Sequence, residues 1–260
     1  LRERNQGNKV HGFCDGFRGL NQNIKEYFDQ EHIDDGPGSL LKTSYDYVDI
    51  DRAVKNLGDY DRLYCICGNE SMKSARDLAL DDRVDTNIIG IAKTIFNDIP
   101  GLESIGFQTA VQELARYIDS AYIEASSTNS IVFLEVPGRH NSGLTTHAGL
   151  ARNSKITNVI TPSTRGDYRT SIEYSYGNRG YAVVVISEMC EYDYLITSLS
   201  VKAKVITPGY LIGAVDPCTY DSILAERMVR EAFNHAQEHR DFIKGDKYHA
   251  IQGLSPYSVG

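Results

Sequence analysis

Short apolar runs, each closed by glycine or by polar residues, alternate along the chain with longer stretches of helical periodicity. The first run, 10–12, leads into the glycine-bounded loop Asp15-Gly16-Phe17-Arg18-Gly19. Residues 63–67 form a continuous apolar run that ends at Gly68, and a helical stretch over 71–80 follows. Runs at 87–92 and 130–136 repeat the arrangement, with a helix expected over 108–125 and another over 147–152. Two further runs, 156–160 and 182–186, precede the last strong helix, 220–238, which Asp216-Pro217 introduces. Strands buried on both faces read as such continuous apolar runs, and helices between them supply the cover. The pattern predicts an α/β fold with mostly parallel sheet covered by helices. In sheets of this kind ligands bind at the loops beyond the carboxyl ends of the strands. Those loops are 68–71, 93–101 and 137–144.

The chain has 260 residues, 41% of them hydrophobic and 24% charged, which suits one large or two modest globular units. It reads as a single unit over 1–260, with 1–125 and 126–260 as candidate lobes. The net charge of −8 excludes a broad surface for a phosphate backbone, which needs clustered Lys and Arg. No nucleic-acid partner is expected. The apolar runs fall far short of the roughly 20 residues that cross a bilayer, so no membrane role is expected. The opening Leu1-Arg2-Glu3-Arg4 lacks the pattern of a signal peptide, and a cytoplasmic compartment is the expectation. Five cysteines, an odd number spread thinly, suit free thiols better than a disulfide framework.

The segment Lys93-Thr94-Ile95-Phe96-Asn97-Asp98-Ile99-Pro100-Gly101 gathers a cation, a hydroxyl, an amide and a carboxylate after a buried strand. Such a mixture suits an anionic ligand accompanied by a bound cation. His235 and His239 stand four apart on a helix, a spacing that can hold zinc, but no third ligand accompanies them and they read as surface residues. No metal site is expected.

Together these segments resemble the phosphofructokinase family. Residues 93–101 are similar to its Lys-Thr-Ile-Asp-Asn-Asp loop and the Pro-Gly beyond it. Residues 11–20 resemble its early glycine-rich segment, and Gly38-Ser39-Leu40-Leu41-Lys42-Thr43-Ser44 resembles its Gly-Thr-x-Leu-Gly-Ser-Ser loop. Gly68, Asn69, Glu70 and Ser71 occupy the place of its phosphate loop, with Lys93 beside them in the donor role. Glu135-Val136-Pro137-Gly138-Arg139 looks like its Glu-Val-Met-Gly-Arg sugar-phosphate loop, and Ile186-Ser187-Glu188 like its Ile-Thr-Glu. The resemblance runs from about residue 9 to about residue 235 and implies two sheet-and-helix lobes across a cleft. It makes the first lobe the donor side and the second the sugar-phosphate side. It also implies oligomers of phosphofructokinase-like subunits, either homo- or hetero-oligomeric.

By the same resemblance, Thr94, Asp98, Gly138, Arg139 and Glu188 would bind a sugar phosphate. The departures are larger than the survivals. Phe96 stands at the position of the general base, so no catalytic residue is expected there. Loss of a general base typically costs about 10²–10⁴-fold. Asn69 replaces the magnesium-binding Asp, and Glu70 puts negative charge where a donor phosphate would lie. Tyr45, Ser130 and Gly213 stand at or near positions of phosphate-binding arginines. The family's opening strand and Gly-Gly-x-x-x-Gly loop, which cradle the donor, do not precede residue 10; a missing N-terminal segment and a donor site without that wall remain alternatives. The expectation is a pseudoenzyme acting as a regulatory or structural subunit, with no cofactor. One alternative is an active 6-phosphofructokinase using magnesium with ATP or pyrophosphate, in which Asp98 or Glu70 takes over the base or metal role. Another is a module that binds a sugar phosphate or nucleotide as effector.

Overall fold

The computed structural model describes residues 2–27, 36–138, 141–238 and 248–251. In chain order the first elements are α1 (Arg2–Asn5), β1 (His11–Phe13), α2 (Phe17–Gln22), β2 (Lys25–Tyr27) and α3 (Ile50–Leu57). Next come β3 (Arg62–Cys67), α4 (Asn69–Ala79), β4 (Asn87–Ala92), α5 (Phe107–Thr128), β5 (Ile131–Val136) and α6 (Gly143–Ala151). The chain continues through β6 (Asn158–Ile160), α7 (Tyr168–Arg179), β7 (Ala182–Ser187), α8 (Asp193–Ser198) and β8 (Ala203–Ile206). It finishes with α9 (Thr219–Glu238) and β9 (Tyr248–Ile251).

Two compact units share this chain. The first takes residues 1–94, 99–105 and 219–260, and the second takes 95–98 and 106–218. The position 125/126, expected as a lobe boundary, falls inside α5, a helix whose buried face continues through Ala121 and Ala125. A boundary there would cut one packed stripe in two.

In the first unit β3, β4 and β9 form a parallel sheet in that order, and β1 pairs antiparallel with β2. Side chains alternate across β4. Ile88 joins Leu57, Ala75, Leu78 and Val84 in one apolar cluster, while Ile89 and Ile91 join another. Leu224, Met228, Ala232 and Ala236, spaced by four along α9, complete the second cluster. Asp49 starts α3 by accepting a hydrogen bond from the Arg52 amide at 3.2 Å, ordinary N-cap chemistry. The expected loop over 15–19 is shorter than it reads, because α2 begins at Phe17 and buries Gly19 and Leu20.

The second unit holds a four-stranded parallel sheet in the order β6-β7-β5-β8. All six residues of β7 are buried, as are all of β5 except Glu135. Leu134, Val136 and Val185 meet Phe107, Ala110, Leu114 and Ile118 of α5, while Ile131, Phe133, Val184 and Ile186 face Ile172 of α7. Burying each such side chain contributes about 1.5–3 kcal/mol relative to exposure, which explains why these strands read so clearly. Asp167 caps α7 through the Thr170 amide, and Gly180 closes it in the left-handed conformation, with φ 78°.

Candidate functional site

Sequence-expected site residues fall into two groups, one in each unit, and each is described by itself. In the first unit β3 runs through Gly68 into α4. The Lys93 amide donates to the Cys67 carbonyl at 2.9 Å, which extends the sheet beyond the ends of both strands. A Cβ added at Gly68 would lie 3.7 Å from the Lys93 carbonyl oxygen and 4.0 Å from Thr94 Cβ, so Gly68, Lys93 and Thr94 are immediate neighbours. Thr94 is buried and its amide donates to the Ile105 carbonyl at 3.1 Å, whereas Lys93 is exposed. Asn69 and Ser71 sit half-buried in the first turn of α4, where backbone amides point outward and favour an anion.

Glu70 is exposed and its carboxylate is 2.8 Å from Lys73 Nζ, one helical turn away. The pair lies in water and contributes little to stability, yet it draws the Glu70 charge along the helix. This donor set does not suit a magnesium ion. Asn69 is neutral, Glu70 is engaged by a lysine, and no cluster of three or more His, Cys, Asp or Glu side chains is placed to hold a metal among the described residues.

In the second unit the group lies at the carboxyl ends of β5 and β7. The Glu188 amide donates to the Val136 carbonyl at 3.0 Å, and Glu188 Oε1 accepts from the Gly138 amide at 2.8 Å. A hydrogen bond to a charged acceptor is worth about 1.5–3 kcal/mol, so Glu188 clamps the two strand exits together. Gly138 tolerates nothing larger, since a Cβ there would lie 2.5 Å from the Asn141 carbonyl oxygen. Asn141 in turn donates from Nδ2 to the Phe96 carbonyl at 3.2 Å and accepts at Oδ1 from the Gly143 amide at 3.0 Å. Phe96, Asn141, Gly138 and Glu188 are thus brought together. Asp98 is half-buried in the same segment, and Arg139 lies outside the described residues, as does His239.

The Phe96 ring is half-buried against the apolar cluster of Phe107, Leu114, Leu144 and Ile212, and meets Tyr210 edge-on with centroids 6.3 Å apart. Ile212 is fully buried in that cluster. At Gly213 an added Cβ would come within 3.0 Å of Ile95 Cγ2. Ser130 is buried and shares a hydrogen bond of 2.8 Å with Thr128, and Tyr45, in the first unit, is almost wholly exposed. Beside this group Tyr192 donates its hydroxyl to Glu135, the one β5 residue that is not buried. Burial, together with that carboxylate, pushes the Tyr192 phenol up, so it stays protonated and donates. Sequence reasoning missed Asn141 and Tyr192. An Asn two residues before a helix-starting glycine is a usable signal for the first, but no local pattern marks the second.

The family model for phosphofructokinase matches residues 2–236. The chain belongs to the phosphofructokinase family. It is similar to the ATP-dependent 6-phosphofructokinase of Haemophilus ducreyi, with 30% identity over 244 residues, 86% of this chain and 74% of the relative. It is also similar to that of Hamiltonella defensa, with 29% identity over 238 residues, 85% of this chain and 72% of the relative. Among solved structures, the pyrophosphate-dependent phosphofructokinase of Nitrosospira multiformis has a TM-score of 0.81 at 18% identity, covering 91% of this chain and 70% of that one. Phosphofructokinase of Pichia pastoris in the T-state gives 0.80 at 20% identity over 93% of this chain, which spans 30% of that much longer protein. These structures share the α/β fold with its parallel sheets. Phe96 and Gly213 are both integrated into apolar packing.

Proposed function

We propose that this phosphofructokinase-family chain is a pseudoenzyme that serves as a regulatory or structural subunit, in an oligomer with phosphofructokinase-like subunits. The observation that carries this reading is Phe96. Its ring packs on a buried apolar cluster and against Tyr210, so the position can neither take a proton nor accept a hydrogen bond. Three further features support it. Ile212 has become core, Gly213 abuts Ile95, and Glu70 is turned to Lys73. A single lost group can be compensated by rearrangement; losses at the base, the metal ligand and the phosphate arginines point instead to a surface no longer used for turnover. A role inside the cell, in the cytoplasm, goes with this reading, and no helix among the described residues is long and apolar enough to cross a membrane.

A second reading is an active 6-phosphofructokinase, favoured by the relatives named above as ATP-dependent 6-phosphofructokinases. It requires Asp98 or Glu70 to act as base or metal ligand, with magnesium and ATP or pyrophosphate supplied. A retained sugar-phosphate site would rest on Thr94, Asp98, Gly138, Arg139 and Glu188. The test is coupled-enzyme turnover of fructose 6-phosphate with magnesium, using ATP and pyrophosphate in parallel. It is paired with sedimentation of the chain alone and mixed with an active phosphofructokinase. No turnover together with a mixed assembly is expected. Turnover by the chain alone overturns the pseudoenzyme reading, and failure to form any assembly overturns the subunit role.

A further inference from the structure

A cavity of about 310 Å³ opens in the second unit, where the ends of β6 and β7 meet the first turns of α7 and α8. Ile160, Ile186 and Leu195 give it an apolar lining, and three tyrosines, Tyr168, Tyr192 and Tyr194, surround them. Its charged residues are Asp167 and Glu191 against a single cation, Arg169. That cation is shared with Glu173, whose Oε1 lies 3.4 Å from Arg169 Nε. Two carboxylates and three aromatic rings therefore outweigh one partly neutralised guanidinium. An anion would find the wrong charge balance here. A neutral apolar ligand would leave the carboxylates unused.

The rings are also suited to a positive ligand. Tyr192 stacks on Phe133, with centroids 6.3 Å apart and planes 15° from parallel. Its hydroxyl donates to the Glu135 carboxylate, which pushes electron density into the ring. A cation over the face of such a ring is attracted by the ring quadrupole, most strongly when it is partly desolvated. Tyr168 adds a third ring to the lining. A volume near 310 Å³ is at the small end of ligand pockets and fits a compact molecule.

We infer that this cavity is a binding site for a small alkylammonium cation, held by Tyr168, Tyr192 and Tyr194 with Asp167 and Glu191 balancing its charge. Tyr168, Tyr194, Asp167 and Glu191 belong to neither of the two groups described above, and Tyr192 borders the second through Glu135, so the test reads binding rather than turnover.

The test uses the full chain and three probes: choline, tetramethylammonium, and 3,3-dimethylbutan-1-ol, the uncharged carbon isostere of choline. Binding is read by ¹H NMR titration at constant ionic strength, following the ligand methyl resonances. Choline is expected to bind about fivefold or more tightly than the isostere, with its methyl signal shifted upfield by the ring currents. Tetramethylammonium, which carries the same charge without the hydroxyl, is expected to bind comparably to choline. Tyr194→Ala removes a ring that is 85% exposed, and Glu191→Gln removes an exposed charge, so both variants fold. Each is expected to weaken choline by about threefold or more and leave the isostere unaffected. No binding of choline to the wild-type chain, equal affinity for choline and the isostere, or binding that neither substitution weakens would each overturn the inference.

Discussion

Replacing Phe96 by Asp puts a carboxylate where the proposed reading has a lost base, and tests whether the position is structural. The ring is half-buried on the cluster that includes Phe107, Leu114 and Ile212. Full burial of a Phe contributes about 1.5–3 kcal/mol, so half-burial is worth about 1–2 kcal/mol. The edge-on contact with Tyr210 adds about 0.5–1.5 kcal/mol. Setting a carboxylate against apolar neighbours costs about 1 kcal/mol more where water still reaches it. The sum is a loss of about 3–4 kcal/mol, confined to the second unit. With an m-value of about 3 kcal/mol/M in urea, the unfolding midpoint of that unit falls by about 1 M. Phe96→Leu keeps most of the burial and is expected to lose about 1 kcal/mol. On the proposed pseudoenzyme reading, neither variant is expected to turn over fructose 6-phosphate, because an added base would not supply the phosphate-binding arginines that reading takes as lost. An aspartate variant as stable as wild type would refute the packing argument. An aspartate variant that gains turnover would show that the base alone had been lost.

Gly138→Ala places a Cβ 2.5 Å from the Asn141 carbonyl oxygen, and the clash is with backbone; a destabilisation of about 1–3 kcal/mol is expected in urea unfolding. Glu3 provides a pH signature. Burial pushes its carboxyl up, but hydrogen bonds from Tyr64, Arg62 and Asn8 outweigh this and hold it below the ordinary glutamate range. The stability Glu3 contributes is therefore present at neutral pH and lost as pH falls through its depressed folded-state value, and Glu3→Gln should flatten the acid limb of a stability–pH curve. Cys65 and Cys67 are pushed up by burial, Cys67 to about 12, so native-state alkylation at pH 8 should spare both and label them only after unfolding.

The strands legible in the sequence are those buried on both faces. β4, β5 and β7 stand out because nearly every residue in them is apolar, and the expected run 87–92 coincides with β4. Elements that bury little escaped notice. α7 buries only Ile172 and Ser175, β8 has no buried residue, and α3 is short and marked chiefly by its Asp49 cap. The segment 15–19 read as a loop because Gly16 and Gly19 look like breakers, yet Gly19 is where α2 packs tightly, a Cβ there falling on the Cys14 backbone. At the candidate site the motif order was legible, since it follows from loops at strand ends. The commitments of the side chains were not. That Glu188 binds the Gly138 amide depends on the register of β5 against β7, which joins residues 50 positions apart. The Glu70–Lys73 contact, by contrast, was readable from its three-residue spacing.

The chain passes between its two units four times, at 94/95, 98/99, 105/106 and 218/219. During synthesis this sets an order of events. Ile89 and Ile91 of β4 gain their cover only when α9, ending at Glu238, has been made. At a rate of about 5–20 residues per second, the nascent first unit keeps that apolar sheet face open for roughly 10–30 s. The second unit is complete at residue 218, 20 residues and roughly 1–4 s before α9 ends. At 218 residues the nascent chain is thus a finished parallel-sheet unit tethered to an unfinished one. Its exposed isoleucines make the interval before residue 238 the time when a chaperone, or an aggregating neighbour, has most to bind.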